Sequence, residues 1–106
     1  MTSVSRPRRY PRLGLPKGML VAWQCGGQRT VSRVATLALG GIFITTKNPA
    51  SVGEVLRLIF DVPAGEVRAR AVVRDSQPGR GMGVEFTAMS SEARARLDRV
   101  LRRLLK

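Results

Sequence analysis

Histidine is absent from the 106 residues. With it go the commonest general base, the usual partner of a nucleophilic serine or cysteine, and the commonest metal ligand. The seven acids, Glu54, Asp61, Glu66, Asp75, Glu85, Glu92 and Asp98, are scattered, and no two of them have the context of a glycosidic acid/base pair or a calcium loop. The expectation is therefore a protein that is not an enzyme and holds no metal and no cofactor. Cys25 is the single cysteine, so no internal disulfide forms and nothing calls for an oxidising compartment. No apolar run approaches the roughly 18–20 residues that span a bilayer, and none follows the basic start as in a signal peptide. A cytoplasmic setting without membrane insertion is expected. Aromatics are few, with one Trp, one Tyr and three Phe, which leaves the core to Val, Leu, Ile and Ala.

What the chain has in excess is positive charge. Nineteen Lys and Arg against seven Asp and Glu give a formal +12, which concentrates polyanions near the surface. Arginine outnumbers lysine sixteen to three. That bias suits planar recognition of phosphates and bases, although a GC-rich genome produces it equally well. Residues 1–17 contain three of the six prolines and little periodicity, and read as a flexible basic arm. Within it, Arg8-Arg9-Tyr10-Pro11-Arg12 sets two guanidinium groups four residues apart in an extended stretch. The two-residue alternation of extended chain points Arg8 and Arg12 the same way, as a clamp for phosphate or for the O6/N7 edge of guanine. The same stretch also reads as a solvated basic tail.

Residues 18–106 read as one domain, mainly β. Short strand-like runs cover Met19–Cys25, Gln28 to about Leu37, Ile42–Thr45, Val55–Phe60, Val67–Val73 and Met82–Phe86, punctuated by Gly26-Gly27, Gly40-Gly41, Asp61–Gly65 and Pro78–Gly81. Val67, Ala69, Ala71 and Val73 alternate with Arg68, Arg70, Val72 and Arg74, giving one apolar and one largely basic face. Six strands at this spacing predict a small antiparallel β-barrel. From 90 to 106 the period changes: Ser90 or Ser91 caps a helix whose Leu97, Val100, Leu101, Leu104 and Leu105 form one apolar stripe. Its opposite face is basic. Gly79-Arg80-Gly81-Met82-Gly83 precedes a strand and lacks the Lys-Ser/Thr of a phosphate-cradling loop, so it reads as a turn.

An Arg-x-x-x-Arg arm, a Gly-Gly-Ile-Phe-Ile strand start, a Gly-Met-Gly-Val-Glu-Phe final strand and a terminal helix follow one another in this order. Over roughly residues 6–106 the chain thereby resembles a PilZ domain. The resemblance implies a six-stranded barrel with a C-terminal α-helix and a bacterial receptor for the second messenger cyclic di-GMP, signalling by contact with a partner protein. Arg8 and Arg12 would hold the ligand, with Arg9 auxiliary. The family's second motif, Asp/Asn-x-Ser-x-x-Gly, falls on Thr36-Leu37-Ala38-Leu39-Gly40-Gly41, where only the last glycine matches. The implied ligand-binding set is Arg8, Arg9, Arg12, Thr36, Ala38, Gly40, Gly41 and Arg74. Losing an acid at Thr36 and a hydroxyl at Ala38 costs roughly 2–4 kcal/mol of binding. Family members without the nucleotide motifs act through protein contacts, as in type IV pilus and motility machinery, and this is the alternative reading. On it, Gly40-Gly41 is a turn or bulge and Thr36 and Ala38 are ordinary sheet residues. Nucleic-acid binding, supported by Arg68, Arg70, Arg74 and the basic helix face, ranks third because aromatics for base stacking are few.

Overall fold

The computed structural model describes residues 13–14 and 19–104. Seven strands and one helix follow in chain order: β1 Leu13–Gly14, β2 Leu20–Cys25, β3 Gln28–Leu37, β4 Gly41–Thr45, β5 Val55–Val62, β6 Gly65–Gln77, β7 Gly81–Met89 and α1 Ser91–Leu104. Every pairing is antiparallel. Strands run in the order β3-β2-β5-β6-β7-β4, and a further β3–β4 pairing closes them into a six-stranded barrel, with β1 added on the outside of the ladder at β3. The expected barrel and terminal helix are both present.

Alternation explains the closure. On β5, Leu56, Leu58, Phe60 and Val62 point inward, and on β6 Val67, Ala69, Ala71 and Val73 do the same, so each hairpin arm buries one face. Apart from Ala69, they meet Val21, Trp23, Val34, Leu37, Ile42, Ile44, Met82 and Val84 in one largely aliphatic core. Trp23 satisfies its buried indole N–H by donating to Ser32 Oγ at 3.0 Å. The strands around Pro63 run further than expected: Val62 pairs with Gly65, leaving Pro63-Ala64 as a two-residue turn. The inward valine at 62 extends the β5 alternation by one step, and a proline without an N–H is harmless only once the ladder has ended.

Helix α1 lies over β5 and β6, with Ala93, Leu97 and Leu101 buried and Val100 packed against the core. Ser90 is its cap, because its Oγ accepts the Ala93 N–H at 3.0 Å. Ser90→Ala is expected to lower stability by about 1 kcal/mol, read as a shifted urea midpoint with unchanged slope. Part of the basic helix face is structural: Arg96 Nη1 donates to the Glu66 carbonyl at 2.7 Å, tying the helix to the β5–β6 hairpin, and Arg102 pairs with Asp98 at 2.9 Å. Among the described residues no helix is long and apolar enough to cross a membrane.

Candidate functional site

Strand β3 ends at Leu37 and β4 begins at Gly41, so Ala38, Leu39 and Gly40 make the connection that carries the expected second motif. Two backbone bonds fix it. The Ala38 N–H donates to the Gly41 carbonyl at 2.9 Å, and the Phe86 N–H of β7 donates to the Gly40 carbonyl at 2.8 Å. Gly41 pairs with Glu85, and a Cβ there would land on the Val84 carbonyl oxygen. The glycine is thus required by the approach of β7. Ala38 is buried and offers no hydrogen-bonding side chain, so what this position presents is backbone. Thr36 is half-buried and pairs with Phe43. A register shift lies between Val34 and Thr36, which puts the irregularity of this strand pair upstream of the diglycine.

Strand β1 was not expected, since two residues carry no periodicity. It pairs Leu13 with Leu37 and Gly14 with Thr36. The chain segment that follows Arg12 is therefore stitched to the strand end that leads into Ala38–Gly41. Arg8, Arg9 and Arg12 themselves lie outside the described residues.

Arg74 is exposed on β6, and its Nε donates to Glu85 Oε1 at 2.7 Å. Glu85 faces Gly41 on one side and Val72 on the other, which draws Arg74 toward the β3–β4 connection. Both side chains are more than half exposed, so the pair contributes at most about 1 kcal/mol and is readily exchanged for another anion. Sequence reasoning missed Glu85, whose importance lies entirely in cross-strand register. Next to it, the Phe43 ring lies beside Gly81 and Gly83, whose missing side chains leave it room on the outer surface. Thr36, Ala38, Gly40 and Gly41 thus lie together at the β3–β4 connection, whereas Arg74 stands on β6, on the far side of β7, and is linked to that region only through Glu85.

Cys25 takes no part in this region. It packs at the edge of the core, and its Sγ donates to Glu54 Oε1 at 3.4 Å. Burial first, then the hydrogen bond and the charge of Glu54, push the thiol above its ordinary range and keep it protonated. Among the described residues no group of three or more Cys, Asp or Glu is placed to hold a metal ion.

The fold is shared with known proteins. The model of the PilZ domain family matches residues 6–103. Among solved structures, the inhibitor of motility MotI/DgrA of Bacillus subtilis superposes with a TM-score of 0.72 at 25% identity, over 95% of this chain and 52% of that one. The PilZ domain of YcgR from Escherichia coli gives 0.74 at 18% identity, over 94% and 92%. MrkH of K. pneumonia gives 0.76 at 19%, over 96% and 53%. The chain thus spans about half the length of MotI/DgrA and MrkH, and nearly all of the YcgR PilZ domain. Among curated proteins none matches the chain. With the closed barrel, the diglycine connection and a family match over nearly its whole length, the chain belongs to the PilZ domain family.

Proposed function

We propose that the chain is a cytoplasmic cyclic di-GMP receptor and adaptor. Arg8 and Arg12 of the N-terminal arm hold the dinucleotide against the β3–β4 connection, and the liganded surface is read by a partner protein. The observation that carries this reading is the pairing of Leu13 with Leu37 and of Gly14 with Thr36, one residue downstream of Arg12. It gives the arm an anchor beside Thr36 and Ala38 instead of elsewhere on the barrel. Further support comes from the PilZ domain of YcgR and from MrkH, both solved with cyclic di-GMP and both sharing this fold. Guanidinium forks suit the phosphates and guanine edges of such a ligand, and Arg9 is auxiliary. Arg74 joins when a ligand phosphate displaces Glu85. Binding of the dinucleotide changes the surface on view to a partner protein.

Thr36 and Ala38 are the weak points of the site, and they provide its test. Thr36→Asp combined with Ala38→Ser restores the acid and the hydroxyl, and is expected to tighten binding of fluorescently labelled cyclic di-GMP by on the order of 30- to 1000-fold. An unchanged affinity contradicts the motif register. Absence of binding by both the unmodified chain and the double variant favours the second reading, supported by the same two substitutions, in which the domain works through protein contacts alone.

A further inference from the structure

Away from the diglycine connection, the outer face of the barrel carries a row of arginines. Successive Cα partners run Arg29–Gln24–Arg57–Arg70–Ala88 across β3, β2, β5, β6 and β7, with Arg68 beside the row on β6. All four arginines are exposed, and they line one shallow groove of about 750 Å³. Arg68 is shared with Glu66 at 2.7 Å, whereas Arg29, Arg57 and Arg70 have no carboxylate partner among the described residues. Arg57 and Arg70 stand directly opposite each other in the ladder, an arrangement of like charges that weakens a sheet. The fold tolerates this repulsion at the centre of an open groove, where an anion would relieve it.

We infer that this groove binds the phosphodiester backbone of a nucleic acid, without reading its bases. Three ladder steps separate Arg29 from Arg70, about 14 Å, long enough to meet successive phosphates of one strand. The recognising groups are all arginine, whose planar forks grip phosphate oxygens bidentately. Among the described residues Trp23 is buried and no other aromatic lines the groove, so none of them offers a stacking platform for bases. A lipid surface fits less well, because among the described residues the apolar side chains of the groove, Trp23, Leu58, Ile59 and Met89, are buried or half-buried and do not project as anchors into a bilayer interface. A protein partner fits less well too. The exposed Leu20 and Val31 line an adjoining depression that shares Ala22 and Ile59 with the groove, and the exposed charges of the groove itself are four arginines, three of them without a carboxylate partner among the described residues. Seven residue steps along extended β3 separate Arg29 from Thr36, about 23 Å, so the inference does not depend on the cyclic di-GMP reading.

The test is fluorescence anisotropy of the full chain with a labelled random-sequence 20-nucleotide DNA strand and its duplex, between 50 and 200 mM KCl. Binding is expected, with log K falling against log salt at a slope of about −2 or steeper on the single strand for three neutralised phosphates. Arg57→Gln with Arg70→Gln is expected to weaken binding at least tenfold at the low salt and to flatten the slope by about one or more. Its melting temperature should be unchanged or higher, because a repulsion has been removed. Arg99→Gln with Arg103→Gln, on the helix, should leave affinity within about twofold. The inference is overturned if neither DNA binds, if the helix pair matters as much as the groove pair, or if only phosphatidylglycerol vesicles bind.

Discussion

Gly41→Ala is expected to destabilise the domain by about 3 kcal/mol or more, lowering the midpoint of thermal unfolding by at least about 10 °C. The reason is steric and local. The added methyl would occupy the position of the Val84 carbonyl oxygen and press on the Val84 carbonyl carbon and Glu85 Cα, all of them backbone atoms. Backbone held in the β4–β7 ladder between Ile42↔Val84 and Gly41↔Glu85 cannot step aside as a flexible side chain can. The neighbouring bond from Phe86 N–H to the Gly40 carbonyl would be strained by the same shift. Gly27→Ala is the matched control, since a Cβ there meets nothing within 4 Å. It is expected to be neutral or stabilising by up to about 1 kcal/mol through loss of unfolded-state freedom. Circular dichroism melts of the two variants side by side check the contrast, and equal melting temperatures would contradict it.

Arg8→Ala combined with Arg12→Ala is expected to weaken cyclic di-GMP binding by at least about 100-fold, read as a right-shifted anisotropy titration of the labelled dinucleotide. Each arginine would make charge-assisted, potentially bidentate bonds worth about 1.5–3 kcal/mol, so the pair accounts for roughly 3–6 kcal/mol of binding. Arg9→Ala should cost only a few-fold. The melting temperature of the double variant should stay within about 2 °C of the parent, because the buried core of the described residues lies within 21–101. That separation of affinity from stability distinguishes a ligand clamp from a structural staple. Loss of stability without loss of affinity would point to the staple.

The barrel was legible wherever burial imposes a local rhythm. Alternation along Val55–Phe60 and Val67–Val73, the glycine-marked hairpin at Gly26-Gly27, and the stripe through Leu97 and Leu101 each record which face meets the core, and those elements stand where the pattern put them. The Ser90 cap was legible for the same local reason. Features created by register were not. Strand β1 is too short for any period, and only its pairing with Thr36 and Leu37 gives it meaning. The Arg74–Glu85 pair joins residues eleven apart whose meeting depends on the irregular β6–β7 ladder. The sequence showed Arg68 and Arg70 on one face of β6, but their alignment with Arg57 and Arg29 needs three cross-strand registers at once. Gly41 was recognisable as the one residue that keeps the family's second motif, not as a point where another strand comes close. The approaching group, the β7 carbonyl at Val84, emerged only with the fold.

The central claim is that the arm and the diglycine connection together form a cyclic di-GMP site, and calorimetric titration of the unmodified chain with the dinucleotide tests it most directly. The account predicts a saturable binding heat that disappears on replacing Arg8 and Arg12 with alanine. A flat trace for the unmodified chain, or a heat that survives the double replacement undiminished, would contradict it.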